Sequence, residues 1–71
     1  MYIVIEMQTN NGTVSTLTYQ FDTMELAEQK YYQVLSFAVV SEVEVHACLI
    51  LDVCGIVQRS YFYDRRVKDN D

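Results

Sequence analysis

The chain has 71 residues, a net charge of −5 from ten acidic and five basic side chains, and 51% hydrophobic residues. A chain of this length forms one domain, which buries only roughly 60% of the surface that its unfolded form exposes. Its uninterrupted apolar runs, such as Phe37–Val40 and Ala47–Leu51, are far shorter than the about 18 residues of a membrane span, so we expect a soluble protein.

The opening segment, MYIVIEMQTN, carries no basic residue and meets an acid at Glu6. It therefore predicts a first strand and not a signal peptide. Without a secretory signal, we expect a cytoplasmic protein whose two cysteines are free thiols.

Charge is unevenly distributed along the chain. Residues 1–58 carry one base, Lys30, and seven acids, whereas residues 59–71 carry four bases and three acids. Nucleic-acid binding relies on a basic face that neutralises phosphates. Duplex nucleic acid is therefore a poor partner for the acidic body, while a small anion remains open near the C-terminus.

The first third of the chain predicts a β-hairpin. Residues 2–9 alternate with a period of two, Asn10–Gly12 is typical of a tight turn, and Thr13–Phe21 alternates again. Asp22, followed three residues later by Glu25, resembles a capping box and predicts that a helix begins there.

Apolar residues then recur at helical spacing, so that one stripe of a helix running to about Val40 faces a core. The stripe consists of Met24, Ala27, Tyr31, Val34, Leu35 and Ala38. Tyr32 and Phe37 lie off this stripe and are candidates for a second contact surface.

Residues 43–52 and 56–64 predict two further strands, which gives the order ββαββ. A right-handed crossover places strand three beside strand one, in an antiparallel sheet of order 2-1-3-4 with one helix on one face. This is an α+β fold. We expect residues 1–64 to form a single domain and residues 65–71 to form a polar tail that frays.

One helix covers one face of the sheet, and the other face is left without cover. From the alternation we assign to the uncovered face the residues Tyr2, Val4, His46, Cys48 and Ile50. Together with Tyr32 and Phe37, they form the predicted interface.

The turn between strands three and four has two alternatives. A two-residue turn, Cys54-Gly55, places Tyr61 and Tyr63 on the uncovered face beside His46 and Cys48. A three-residue turn that ends in a left-handed Gly55 with a bulge places both tyrosines under the helix and Phe62 outside. We favour the three-residue turn because glycine suits its last position.

His46 and Cys48 project from the same strand face, roughly 7 Å apart at their Cα atoms, which is close enough to share a metal ion. A zinc site needs further ligands, and the spacing to Cys54 matches no closed zinc pattern. A Cys–His nucleophile also lacks an orienting third group. We therefore predict no metal, cofactor or catalytic residue, and a half-buried histidine beside a cysteine that acts as a small hydrophobe.

The C-terminal segment RSYFYDRR interleaves arginines with aromatic residues. Arginine binds phosphate through two hydrogen bonds and aromatic rings stack on bases, whereas the plainer alternative is an edge strand protected by charge. The predicted ligand-binding residues are Arg59, Tyr61, Tyr63, Arg65 and Arg66.

Over most of residues 1–63 the sequence resembles a family of short, uncharacterised proteins encoded by phages and prophages of Firmicutes. The resemblance rests on the opening MYIVIEMQTNNGT, on Lys30-Tyr31-Tyr32 in the helix, and on Val45-His46-Ala47. It implies a compact α+β module in a host cell cytoplasm during infection, and it supplies no catalytic residues.

The sequence is compatible with three functions, of which we predict the first, with the second as the alternative, and no enzyme. The first is a non-enzymatic homo-oligomer that sequesters a small nucleotide-like anion, such as an immune signal, and so acts in counter-defence. The second is an interaction module that blocks a host protein or joins a phage assembly. The third is a metal or thiol enzyme centred on His46 and Cys48.

Overall fold

The computed structural model describes residues 1–66. Its elements are β1 (Tyr2–Asn10), β2 (Thr13–Phe21), α1 (Met24–Ala38), β3 (Val45–Asp52) and β4 (Val57–Asp64). The strands form one antiparallel sheet of order β2-β1-β3-β4. The predicted α+β fold and strand order are confirmed, while residues 67–71 of the predicted tail lie outside the described residues.

A two-residue turn connects β1 to β2. Asn11 and Gly12 both adopt positive φ, 54° and 79°, as a type I′ hairpin turn requires. The turn pairs Asn10 with Thr13, and this sets the register of the whole hairpin, with Val4 opposite Tyr19 and Glu6 opposite Leu17.

The helix begins one residue later than the capping pattern predicts. Thr23, not Asp22, is the N-cap: its backbone is extended and its hydroxyl accepts a hydrogen bond of 3.3 Å from the amide of Leu26. The predicted stripe is confirmed, since Ala27, Tyr31, Val34 and Ala38 are buried and Met24 and Leu35 pack against the core. No helix within residues 1–66 has the length and apolar character to span a membrane.

The helix covers the opposite sheet face from the one expected, so that prediction is wrong. The buried core joins three helix residues to Val4, Cys48 and Ile50 of the central strands, and partly buried residues of β1 and β2 surround it. The cause lies in β2, which aligns Tyr19 with Val4 and Phe21 with Tyr2. Only this face offers the helix an apolar surface on β2 as well as on β1 and β3.

The turn between β3 and β4 has the three-residue form that we favoured. Gly55 has a φ of 80°, its amide donates to the Asp52 carbonyl, and the Asp52 amide donates to the Ile56 carbonyl, both at 3.0 Å. Glycine suits this position because a left-handed backbone carries no steric penalty there.

A bulge in β4 then changes the pairing that this turn alone would produce. Ile50 pairs with Arg59 and Leu51 pairs with Val57, so Gln58 is an extra residue. Tyr61 and Tyr63 consequently stand opposite Cys48 and His46. Both tyrosines lie on the helix side and Phe62 on the other, as predicted, but for a different reason. The extra residue Gln58 moves the tyrosines to the face of His46 and Cys48, and this is the face that the helix covers.

Arg65, which the sequence assigned to the fraying tail, is held in place. Its backbone amide donates to the Glu44 carbonyl at 2.6 Å, and its guanidinium donates to the carbonyl of Ala38 at the end of α1. A cation at this end of a helix also compensates the partial negative charge of the last carbonyls.

Candidate functional site

The sheet face opposite α1, which we name the uncovered face, has no covering element within residues 1–66. Its centre is an apolar stripe that crosses β1, β3 and β4. The stripe consists of Ile3, Ile5, Met7, Val45, Ala47, Leu49, Leu51, Val57 and Phe62. Residues on its central strands are partly exposed, and Phe62 on β4 is 61% exposed.

The margins of the uncovered face are polar. On β2 this face carries Val14 and then Thr16, Thr18 and Gln20, all exposed. Within residues 1–66 the one charged side chain of the strands on this face is Asp64, at the end of β4, which forms an ion pair of 2.7 Å with Arg66. The stripe itself is therefore free of charge, which suits it to contact with another apolar surface.

Five of the seven predicted interface residues lie on the wrong side of the sheet for that role. Val4, His46, Cys48 and Ile50 are buried beneath α1, and Tyr2 is half-buried against the core. The reason is the helix position described above, since α1 and the sheet enclose these side chains.

The two other predicted interface residues, Tyr32 and Phe37, are exposed on α1 as expected. Tyr32 contacts Tyr31 edge to face, with ring centroids 5.0 Å apart. They lie on the helix, on the other side of the sheet from the apolar stripe, so the two surfaces cannot contact one partner face together.

The stripe residues were missed as a surface because alternation alone does not tell which face a helix covers. A signal was available in the hairpin. A two-residue turn at Asn11-Gly12 aligns the apolar side of β2, with Tyr19 and Phe21, with Val4 and Tyr2 and not with Ile3 and Ile5. The threonine side of β2 then marks the uncovered face.

His46 belongs to a polar cluster beneath the helix. Its Nε2 lies 2.7 Å from Glu6 Oε2, which also accepts a hydrogen bond of 3.0 Å from the side chain of Gln8. A carboxylate that is ionised only accepts hydrogen bonds, and Nε2 of His46 is then the donor of this contact. Nδ1 of His46 is buried without a hydrogen-bond partner among residues 1–66.

Cys48 is fully buried beside this cluster. Burial, and then the negative charge of Glu6, raise the pKa of the Cys48 thiol to about 11. The thiolate is the nucleophilic form, so at neutral pH this cysteine is a protonated, apolar side chain. Within residues 1–66 no three histidine, cysteine, aspartate or glutamate side chains are grouped for metal binding.

The predicted ligand-binding residues lie along β4 and just beyond it. Tyr61 and Tyr63 contact edge to face, with centroids 5.2 Å apart, and the Arg65 guanidinium lies 5.4 Å from the Tyr63 ring. The structure thus places the aromatic pair on the helix side, with Arg65 against Tyr63 and Arg59 two residues before Tyr61 on the same face.

Each arginine of this set already has an acceptor in the protein. Arg59 Nε donates to Glu28 Oε2 at 2.8 Å, which raises the pKa of the guanidinium, and Arg66 contacts Asp64 through two nitrogens. Arg65 donates to the Ala38 carbonyl. A guanidinium has five N–H donors, so these contacts use only part of the hydrogen-bonding capacity of each arginine. Nη1 of Arg65 is buried without a hydrogen-bond partner among residues 1–66.

A groove lies between β2 and α1. This open groove, of about 510 Å³, is lined by Tyr19, Phe21, Leu26, Gln29, Lys30 and Gln33. Its one cation, Lys30, lies 4.2 Å from the centroid of the Tyr19 ring and donates to the Gln33 side chain at 3.3 Å. The groove thus has two aromatic side chains in its lining, and the ammonium group of Lys30 already contacts Tyr19 and Gln33.

Comparison with protein-family models, with curated proteins and with solved structures finds no match to this chain. The surfaces of the molecule, and the uncovered face first among them, therefore carry the functional argument.

Proposed function

We propose that this chain is a non-enzymatic binding protein that acts by covering a surface, and that it covers the same face of a second copy of itself. The observation that supports this most directly is the apolar stripe. Ile5 and Leu49 stand opposite each other at its centre, and Met7 and Ala47 continue it. Apolar patches of a few hundred Å² on soluble proteins are often functional.

The size of the stripe sets the strength of this contact. Three strands about 4.8 Å apart and about 26 Å long form a flat area of roughly 370 Å². Two stripes in contact bury at least about 750 Å² in total, which is less than the about 1,200–2,000 Å² of a standard stable interface. We therefore expect this contact alone to be weak, with a micromolar dissociation constant.

Symmetry favours a second copy as the occupant, although the net charge of the chain opposes association over most of its surface. The chain carries a net charge of −5, so most orientations of two copies bring acidic surfaces together. The apolar stripe is neutral, and its contact excludes such repulsion from the interface core. A twofold axis also makes any such patch complementary to itself, and stacked sheets interdigitate their side chains across about 10 Å.

The test is a lysine at the centre of the stripe. Leu49→Lys introduces a charge that the stacked state would bury without a partner, whereas Ser36→Lys adds the same charge on the exposed side of α1. In sedimentation equilibrium we expect Leu49→Lys to halve the particle mass and Ser36→Lys to leave it unchanged. A wild-type chain that stays monomeric at high concentration contradicts the proposal and points to a foreign protein as the occupant.

A second candidate function, sequestration of a nucleotide-like anion, is supported by the aromatic pair on β4. Tyr61 is exposed, it contacts Tyr63, and Arg59 lies two residues before it on the same face. If the phosphate of a nucleotide displaced Glu28 from Arg59, the nucleobase of the same ligand could stack on the Tyr61 and Tyr63 rings. The resemblance to phage proteins would make such a ligand an immune signal held away from its receptor.

This candidate is tested by thermal shift with cyclic dinucleotides and ADP-ribose, because a ligand that binds the folded state raises the melting temperature. Glu28→Gln weakens the hold on Arg59 and is expected to enlarge the shift, whereas Arg59→Ala is expected to abolish it. Equal melting temperatures with and without ligand, in both the wild type and Glu28→Gln, would rule out these compounds as ligands.

A further inference from the structure

The outer edge of β2 lacks the features that protect sheet edges. The strand has nine residues, Thr13–Phe21, pairs with β1 without a register shift, and contains no charged residue and no proline. An open edge presents unpaired backbone groups to any other strand, and natural edges are usually short, bulged or charged for that reason. This edge is long, regular and neutral.

The other edge of the same sheet, β4, shows what protection looks like in this protein. It is interrupted by the bulge at Gln58, and it carries Arg59, whose side chain pairs with Glu28 of the helix. A bulge twists a strand away from regular pairing, and a charge resists burial in a new sheet. The contrast singles out β2 as the edge open to pairing.

The hairpin register identifies which backbone groups are free. A two-residue turn makes Asn10 and Thr13 a hydrogen-bonded pair, and the backbone direction alternates from there along β2. The amides and carbonyls that point away from β1 are therefore those of Val14, Thr16, Thr18 and Gln20. Within residues 1–66 no strand lies on that side of β2.

Leu17 supplies a second, independent feature at the centre of this edge. It lies on the helix side, opposite Glu6, and is 53% exposed. Among the described residues, 1–66, no strand on the outer side of β2 offers this leucine an apolar neighbour. A symmetric neighbour strand would bring another leucine directly beside it.

We propose that β2 of two copies pair antiparallel about a twofold axis at Leu17, forming one continuous eight-stranded sheet. In this register Thr16 of each copy pairs with Thr18 of the other, and all four outward amides of each strand find an acceptor. The two Leu17 side chains meet in the non-hydrogen-bonded pair, where Cα atoms approach to about 4.5 Å. An antiparallel pair of identical strands is self-complementary, as a twofold interface requires.

Edge pairing also doubles the area buried by the proposed face contact, which is small for a single pair of chains. To that extent this inference rests on the proposed function. The twofold axis runs perpendicular to the sheet, so both helices lie on one side and both uncovered faces on the other. Two such pairs stacked through these faces bury about 1,500 Å², within the standard range for a stable interface. The expected particle is a tetramer of 8.3 kDa chains with two different twofold interfaces.

The edge is tested by Thr16→Pro, which removes an outward amide that β1 does not use, with Thr16→Ala as its matched control. If the proline variant fails to fold, Leu17→Lys serves instead, because its backbone amide points to β1 and two lysines would meet at the axis. We expect either variant to halve the mass measured by native mass spectrometry and Thr16→Ala to preserve it. The amides of Thr16 and Thr18 should exchange with deuterium at least tenfold more slowly in the wild type than in Leu17→Lys.

The two interfaces fail in distinguishable ways. If edge pairing is correct and face stacking is not, the wild type is a dimer that Leu17→Lys dissociates and Leu49→Lys does not. If face stacking is correct and edge pairing is not, the sensitivities are reversed. A mass unchanged by both Thr16→Pro and Leu17→Lys, with fast exchange at Thr16 in the wild type, would overturn the edge proposal.

Discussion

The most informative stability test compares two adjacent residues that lie on opposite faces of β3. Ile50 is 0% exposed beneath α1, whereas Leu49 is partly exposed on the uncovered face. Truncating a buried isoleucine to alanine removes its transfer free energy and leaves a cavity, which costs about 3 kcal/mol. A chain of this size has a free energy of unfolding of only about 4–10 kcal/mol, so Ile50→Ala should remove a large part of it.

The assay is urea unfolding followed by far-ultraviolet circular dichroism over a range of protein concentrations. With an m-value of about 1 kcal/mol/M, the midpoint of Ile50→Ala should fall by about 3 M at every concentration. Leu49→Ala should cost less than about 1 kcal/mol in dilute solution. Its effect should then grow with concentration, because association stabilises the folded state by mass action.

One result would refute this reasoning. If Leu49→Ala is as destabilising as Ile50→Ala at the lowest concentration, α1 covers the other face and the uncovered face is wrongly assigned. A concentration-independent effect of Leu49→Ala, smaller than that of Ile50→Ala, would instead preserve the fold and contradict only the self-association.

Three further predictions concern single residues. Native protein at pH 8 should react with one equivalent of a thiol reagent, at the exposed Cys54, and with two after unfolding, because Cys48 is buried; two fast equivalents in the native state would contradict its burial. The pKa of the Cys48 thiol is raised from 9.0 to about 11 in the folded chain, so between pH 9 and pH 11 the unfolded chain loses this proton while the folded chain keeps it. The free energy of unfolding should therefore fall as pH rises through this range, and it should fall less steeply in Cys48→Ala. In urea unfolding, Thr23→Ala should cost about 1 kcal/mol through loss of the helix cap. Gly55→Ala should cost a similar amount because of its positive φ. If Asp22→Ala proved more costly than Thr23→Ala, Thr23 would not be the helix cap.

The sequence by itself determined the elements and their order. Two period-two segments around Asn11-Gly12, a helical stripe from Met24 to Ala38 and two later strands leave little choice of topology, because crossover connections between strands of one sheet are right-handed. The turn at Gly55 was also predictable, since few residues other than glycine adopt its φ readily.

Only the tertiary structure decided which sheet face the helix covers. Both faces of β1 and β3 are apolar enough for a core. The alternation within these strands therefore does not tell which of the two faces the helix covers. The choice depends on β2, where Tyr19 and Phe21 are apolar on one side and Thr16 and Thr18 are polar on the other. The helix packs where all three strands contribute apolar area. Glu6 and His46 lie on this face and contact each other at Nε2, while Nδ1 of His46 has no partner among residues 1–66.

The candidate surfaces follow from that single decision. Once α1 lies over Val4 and Ile50, the residues that alternate with them form the uncovered face, and His46 and Cys48 are enclosed. The bulge at Gln58 then assigns the β4 tyrosines to the helix side, and this depends on an irregular pairing between strands that the local sequence does not specify. Side-chain direction in a sheet has a period of two, so one extra residue or one helix placement exchanges a core for a surface.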